Sequence, residues 1–216
     1  VIFDAPGRVP FSDGSALMVG ADGTIFVTTE IIDHAVDPIF GPSTFHVAVI
    51  DPQDPQDVTL VDLEVGAEDE LTMAAIDIDR DGRAHVTHLA EVDIDGDGAT
   101  ETVTRLVIVD PQGLADPVRV DSPGRPSGRA AIDTAGRIYF TTTAEVPDGL
   151  GSATFTTYVT VIDPSATEPI LAVFEFDGRS SGGVTIGPDG SASQVFGDGG
   201  TSSVAIIGDD SGAQHV

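Results

Sequence analysis

Short stretches of alternating apolar and polar residues recur along the whole chain, and Gly, Pro, Asp or Ser bounds each of them. In the stretch after Gly136, residues Ile138, Phe140 and Thr142 share one face of a predicted strand, and the residues between them share the other. Gly136 itself occupies a turn position that favours a positive φ. No stretch has the 3.6-residue period and capping signals of a helix. The pattern predicts an all-β protein built of hairpins.

The hairpin turn recurs at a nearly constant interval. The turn glycines are Gly23, Gly82, Gly136 and Gly190. They are separated by 59, 54 and 54 residues (23 to 82, 82 to 136, 136 to 190). Two further landmarks recur after the turns: an Asp-Pro pair at Asp51, Asp110 and Asp163, and a Gly-Arg pair at Gly7, Gly124 and Gly178. Self-similarity at a fixed period indicates a repeat architecture with four copies of one unit.

Each copy resolves into four predicted strands. In the third copy they are about Gly128–Asp133, Arg137–Ala144, Thr154–Asp163 and Pro169–Phe176. Four antiparallel strands per repeat are typical of one β-propeller blade. We therefore predict one β-propeller domain over residues 1–216, with four-stranded repeats at about 9–66, 67–125, 126–179 and 180–216 and residues 1–8 as a terminal outer strand. The four blades form either a closed ring or part of a larger ring or array, and the matching phase of the two ends favours the array.

Two motifs resemble a known family. They are Asp-x-x-Gly-Arg-Ile-Tyr-Phe at residues 133–140 and Tyr-Val-Thr-Val-Ile-Asp-Pro at residues 158–164. Both resemble the repeats of YVTN/NHL-type β-propellers of bacterial secreted and surface proteins, and the resemblance covers nearly the whole chain. It implies a propeller fold and secretion or surface display, and it carries over no catalytic residue.

Charge narrows the range of partners. The chain has 36 acidic residues against 9 basic ones, all of them Arg, for a formal net charge of −27. Such a surface repels phosphate backbones and anionic lipid, so we expect no nucleic-acid partner and no binding to a membrane surface. No run of about 18 apolar residues exists, so we expect no membrane insertion. The absence of Cys excludes disulfides and thiolate metal sites. Because the chain begins with Val1 rather than Met, we expect a mature or excised part of a longer protein.

One acidic segment is a candidate calcium site. Its acids are Asp93, Asp95, Asp97 and Glu101, at relative positions 1, 3, 5 and 9, with a glycine at position 6. Alternate carboxylates can converge on Ca²⁺, which takes six to eight oxygen ligands. The segment departs from an EF-hand because position 12 is Thr rather than Glu and no helix flanks it. Two interpretations remain: a calcium loop, or an acidic connection made of good turn formers.

A second acidic run and a histidine pair have structural explanations. Asp77, Asp79 and Asp81 repeat the alternate spacing, but they occupy the hairpin turn, whose equivalents in the other copies lack three acids. His85 and His88 are three residues apart on a predicted strand, so their side chains point to opposite faces and cannot readily share an ion. We interpret both groups as ordinary turn and strand positions.

The sequence offers no catalytic residue. It has no Gly-x-Ser-x-Gly elbow, no Cys nucleophile and no Gly-rich loop that leads into a helix. The connections between the second and third strands vary most, and in the repeat interpretation they leave one common edge, where recognition usually lies. They are Ile31–Ser43, Ala90–Glu101, Pro147–Ala153 and Gly197–Thr201.

These features favour a non-enzymatic binding or structural module, secreted or on a cell surface, with calcium as a candidate stabilising ion. Its partner at the loop edge is expected to be a protein, a carbohydrate or another copy of the chain. Two alternatives remain. One is a propeller lyase or hydrolase with a central metal-assisted site, and the other is a repeating segment of a large adhesin or filament.

Overall fold

The computed structural model describes residues 17–32, 43–64, 75–93, 98–112, 115–147, 153–198, 201–207 and 213–215. Within these ranges the chain forms strands and turns and no helix, which confirms the all-β prediction. It follows that the described part contains no apolar helix long enough to cross a membrane. The strands assemble into four antiparallel sheets, numbered here as sheets 1 to 4 in chain order.

Sheets 1 and 2 contain four strands each. Sheet 1 consists of β1 Leu17–Val19, β2 Ile25–Ile32, β3 Ser43–Ile50 and β4 Val58–Asp62. Sheet 2 consists of β5 Ala75–Ile78, β6 Ala84–Val92, β7 Glu101–Val109 and β8 Val118–Pro123. In both sheets every strand lies beside the next strand of the chain. This up-and-down order matches the predicted four-stranded unit.

Sheets 3 and 4 repeat this order with a divided first strand. Sheet 3 consists of β9 Arg125–Pro126, β10 Ala131–Ile132, β11 Ile138–Pro147, β12 Ala153–Ile162 and β13 Ile170–Asp177. Sheet 4 consists of β14 Arg179–Ser180, β15 Thr185–Ile186, β16 Ala192–Asp198, β17 Thr201–Ile207 and β18 Ala213–His215. Both β9 and β10 pair with β11, and both β14 and β15 pair with β16.

The division corrects the prediction of one continuous first strand over Gly128–Asp133. Gly128 lies between β9 and β10 with φ 145°, and Gly182 lies between β14 and β15 with φ 155°. A Cβ built on Gly128 would lie 2.4 Å from the backbone nitrogen of Gly183. The backbones of the two interruptions therefore lie against each other. At both places this contact separates the chain from the neighbouring strand, so the strand-to-strand hydrogen bonds are interrupted.

The chain forms two compact units, residues 1–91 with 105–119, and residues 92–104 with 120–216. In the first unit, one hydrophobic cluster joins Phe26 and Val47 of sheet 1 to Val86 of sheet 2. In the second unit, another cluster joins sheets 3 and 4, where the rings of Phe176 and Phe196 stack with their centroids 4.8 Å apart. Within each unit, consecutive sheets therefore cover each other's apolar face, which a single sheet could not bury alone.

The hairpin turns have the predicted backbone. The φ angles of Gly23, Gly82, Gly136 and Gly190 are 94°, 82°, 87° and 83°. The Asp-Pro pairs form Asx turns at the end of the third strand: Asp51, Asp110 and Asp163 each accept the backbone N–H two residues ahead, at 2.7, 2.6 and 2.9 Å. Both landmarks are thus local structures that each repeat makes from its own residues.

The Gly-Arg pair marks a corner where the chain passes from one sheet to the next. Gly124 lies between β8 of sheet 2 and β9 of sheet 3, with φ 82°. Its N–H donates to the carbonyl of Thr102 at 2.9 Å, and the Thr104 hydroxyl donates to its carbonyl at 2.7 Å. A Cβ on Gly124 would lie 2.3 Å from the carbonyl oxygen of Thr143. Only glycine fits this corner without displacing the neighbouring strand.

The second corner, at Gly178, is built in the same way. Gly178 has φ 110° and lies between β13 of sheet 3 and β14 of sheet 4. Its N–H donates to the carbonyl of Phe155 at 2.7 Å, and its carbonyl accepts the Thr157 hydroxyl at 2.8 Å. The two corners therefore present Arg125 and Arg179 at equivalent positions.

Replacing Gly124 with Ala is expected to destabilise the protein more than replacing Gly190 with Ala. Their φ angles are 82° and 83°, so both substitutions carry a left-handed penalty of about 1–2 kcal/mol. A Cβ at Gly190 meets nothing within 4 Å, whereas at Gly124 it meets the backbone of β11. Denaturant unfolding of both variants measures the difference. Equal losses would show that the close approach at the corner contributes nothing.

Candidate functional site

The predicted calcium loop is only partly described. Asp93 and Glu101 lie within the described residues, whereas Asp95 and Asp97 lie outside them. One carboxylate oxygen of Asp93 accepts the N–H of Gly98 at 3.0 Å, and Gly98 has φ 91°. Among the described residues no group of three acidic, His or Cys side chains is placed to hold a metal ion. Calcium binding by this loop stays a prediction.

The second acidic run forms the hairpin turn of sheet 2, as interpreted from the sequence. One oxygen of the buried Asp79 carboxylate accepts the N–H groups of Asp81 and Arg83, both at 2.9 Å. The other oxygen accepts Nε of Arg83 at 2.8 Å and lies 3.1 Å from Nε2 of His85. The protein itself therefore satisfies this carboxylate, so the turn needs no metal ion.

The hairpin of sheet 3 repeats this arrangement. Asp133 accepts the N–H groups of Ala135 and Arg137 at 2.8 and 2.9 Å, Nε of Arg137 at 2.6 Å and the Tyr139 hydroxyl at 3.3 Å. Burial alone would raise the pKa of Asp133, but the hydrogen bonds and the charge of Arg137 outweigh it and lower the pKa. Burial and hydrogen bonds from His85 and Arg83 oppose each other in the same way at Asp79, and they hold its pKa far below the usual range.

The hairpins of sheets 1 and 4 are closed differently. Glycine replaces the first Asp, at Gly20 and Gly187, and the carboxylate comes from the third turn position instead. Asp22 accepts the N–H and the hydroxyl of Thr24, both at 3.0 Å. A Cβ on Gly20 would lie 2.9 Å from that carboxylate, and one on Gly187 would lie 2.8 Å from the carboxylate of Asp189. In these two turns the carboxylate of the Asp at position three therefore occupies the space that a side chain at position one would need.

The two histidines of β6 have separate partners. His85 is buried beside Asp79, and Nδ1 of the buried His88 lies 3.0 Å from the carbonyl oxygen of Leu89. The geometry agrees with the interpretation that they do not share an ion. Both side chains belong to the packing of the sheet.

A concave feature lies in the second unit, at the two Gly-Arg corners. This corner groove has a volume of about 810 Å³. Its wall is formed by the start of β7, the end of β8, β9, the distal part of β11 and the residues after Gly178. Its side chains include five hydroxyls, two arginines, two glutamates, two prolines and Phe155. The volume is typical of small-ligand sites.

A hydrogen-bonded network of side chains holds the hydroxyl wall in place. The hydroxyls of Ser127 and Thr143 are 2.7 Å apart. Gln194, buried on β16, donates to the Ser180 hydroxyl at 2.7 Å and to the carbonyl of Gly182 at 3.0 Å. Its own carbonyl accepts the hydroxyl of Thr141 at 2.9 Å. The groove is thus supported by ordered side chains of two sheets, which fixes its polar groups before any ligand arrives.

The two groove arginines differ from four other described arginines. Arg80, Arg83, Arg119 and Arg137 each lie within 4.0 Å of a carboxylate. Arg125 and Arg179 contact no carboxylate among the described residues. The guanidinium of Arg179 instead lies 4.1 Å from the centre of the Phe155 ring. Both cationic groups are exposed and remain available to a ligand.

Sequence reasoning identified the Gly-Arg pair as a landmark of the repeat and did not identify it as a site. The recurrence was visible in the chain, but the groove depends on distant residues such as Thr143 and Gln194. The groove wall contains neither His nor Cys. Its side chains offer hydroxyls that donate and accept hydrogen bonds, guanidinium groups that bind anions, and two carboxylates that accept hydrogen bonds.

A scan against models of protein families finds no match for the chain, and neither does a search of curated proteins.

Replacing Asp133 with Asn is expected to cost about 1–3 kcal/mol of unfolding free energy at neutral pH, because Asn offers an N–H₂ where Arg137 and Tyr139 donate. The native pKa of Asp133 is lowered, so its contribution is complete above the unfolded pKa of about 4 and is lost as the pH falls through the native pKa. The difference in unfolding free energy between wild type and variant should therefore become smaller below about pH 4.

Urea unfolding across that pH range measures this gap, and the exposed Asp57→Asn is the matched control with an expected change near zero. A gap that widens in acid would contradict the assignment of the charge-dependent hydrogen bonds to Asp133.

Proposed function

We propose that this chain is a β-propeller-type repeat protein, similar in plan to YVTN/NHL propellers, that binds a ligand without chemical turnover. Four sheets of one topology, with hairpin turns that recur in step with the sequence repeat, support the repeat architecture. Face-to-face packing of consecutive sheets within each unit is what neighbouring propeller blades require. The resemblance to surface proteins supports a secreted or cell-surface location.

The observation that carries the binding function is the corner groove. The two corners position its hydroxyls and arginines, and two of the variable connections adjoin strands that line it. Residues 94–97 precede β7, and residues 148–152 join β11 to β12. Recognition sites commonly combine a fixed scaffold with variable loops. The ligand would be a carbohydrate or a segment of protein, including a segment of a second copy of the chain.

Blocking the groove should abolish ligand binding. We expect wild-type protein to retain specific members of an immobilised array of oligosaccharides and short peptides, and Ser181→Trp to lose them, because Ser181 is exposed and lines the groove. The matched control is Thr167→Trp, which places the same ring on an exposed bend at the opposite end of β12. Captured ligands should be recovered unchanged by mass spectrometry.

Retention of the same ligands by Ser181→Trp would contradict the assignment of binding to the groove. Conversion of a captured ligand would favour an enzyme instead.

We also propose that calcium stabilises the loop from Asp93 to Glu101. The alternating carboxylates and the turn at Gly98 support this role. Saturating calcium should raise the melting temperature, since a ligand at about 100 times its Kd adds about 2.7 kcal/mol. Asp95→Asn with Asp97→Asn should remove the effect, and magnesium is the control ion. An unchanged melting temperature after addition of a chelator and then calcium would refute calcium binding.

A further inference from the structure

We propose that the corner groove recognises an acidic sugar, through salt bridges from Arg125 and Arg179 to its carboxylate and hydrogen bonds from the hydroxyl wall to its hydroxyl groups. This inference rests on the proposed binding function and names the chemical class of the ligand.

The first argument is the placement of positive charge. In a chain with 36 acids and 9 bases, an arginine readily finds an acidic partner, as Arg83 and Arg137 do. Arg125 and Arg179 have none among the described residues, although Glu101 and Glu145 line the same groove. Two cationic groups without counter-ions in one concave site provide the charge that a carboxylate requires.

The second argument is the orientation of Arg179. Its guanidinium lies over the Phe155 ring. The backbone carbonyl of Phe155 accepts a hydrogen bond from the N–H of Gly178, the residue before Arg179. Contact with the ring and attachment to the same corner limit the positions that the guanidinium can adopt. Because all five N–H donors of a guanidinium lie in its plane, an Arg held over a ring can direct two of them in parallel at one carboxylate. This geometry disfavours a role as a freely moving surface charge.

The third argument is the remainder of the wall. Thr102, Ser127, Thr143 and Ser181 contribute hydroxyls, and sugar hydroxyl groups can both donate to them and accept from them. Glu101 and Glu145, together with the net charge of −27, disfavour a ligand with many closely spaced negative charges. A single carboxylate among hydroxyl groups, as in a uronic acid, fits this combination better than a polyanion or an acidic peptide.

The experiment is calorimetric titration of the full chain with glucuronate, with glucose as the probe without a carboxylate and acetate as the probe without hydroxyls. Glucuronate should bind, and the two partial probes should bind at least about tenfold more weakly, since one charge-assisted hydrogen bond accounts for about a tenfold change. Arg125→Gln and Arg179→Gln should each weaken glucuronate binding by a similar factor. Added salt should weaken wild-type binding further.

Arg80→Gln is the matched control, because it makes the same charge change at an exposed turn outside the groove. Its affinity for glucuronate should equal that of wild type. Arg179→Lys, which keeps the charge and loses the planar fork, should fall between wild type and Arg179→Gln. Thermal unfolding of every variant confirms that the fold persists.

Three results would overturn the acidic-sugar assignment: equal affinity for glucose and glucuronate, equal losses in Arg80→Gln and Arg179→Gln, or no glucuronate binding. A glutamate-terminated tripeptide that binds more tightly than glucuronate would assign the groove to a peptide carboxylate instead. None of these results would refute the binding function itself, because the array experiment with Ser181→Trp tests that function with other ligands.

Discussion

The close backbone approach at the Gly-Arg corners is the constraint on which the second unit depends. At Gly124 the chain leaves sheet 2 and enters sheet 3 within one residue, and the left-handed φ of glycine makes that change of direction possible. Its N–H and carbonyl are both satisfied by β7, so the corner is fastened to the sheet that it leaves. The same construction at Gly178 places a second arginine in the equivalent position, and the groove lies at these two corners.

Burial of both faces of the strands explains the hydroxyl-rich character of the site. Ile138, Tyr139, Phe140, Thr141 and Thr142 follow each other on β11 and are all buried. Threonine suits such a strand because its branched side chain favours extended backbone, but its hydroxyl needs a partner when buried. The hydroxyls of Thr142 and Ser122 lie 2.9 Å apart, and the Thr141 hydroxyl donates to the side-chain carbonyl of Gln194. These hydrogen bonds connect consecutive sheets and continue into the wall of the groove.

Much of the local structure could be predicted, because each hairpin is made by residues near each other in the chain. The turn glycines, the Asx turns and the strands of the third repeat follow from spacing and turn chemistry. The position of the closing carboxylate also follows from nearby residues, because Asp133 at the first turn position and Asp22 at the third each accept the N–H of the fifth turn residue. The divided first strand was not predictable, because Gly128 leaves the ladder to approach Gly183, 55 residues later (128 to 183).

The sequence by itself determined the strand order, the repeat and the positions of the turns, since periodicity and left-handed glycines act over a few residues. It also supplied the recurring Gly-Arg pair without indicating its use. Only the tertiary structure decided that Arg179 lies over the Phe155 ring and that Gln194 supports the hydroxyl wall from another sheet. It also decided that two arginines share one groove without a carboxylate partner among the described residues. A binding site of this kind depends on the distances between residues of different repeats, and the spacing of residues along the sequence does not give those distances.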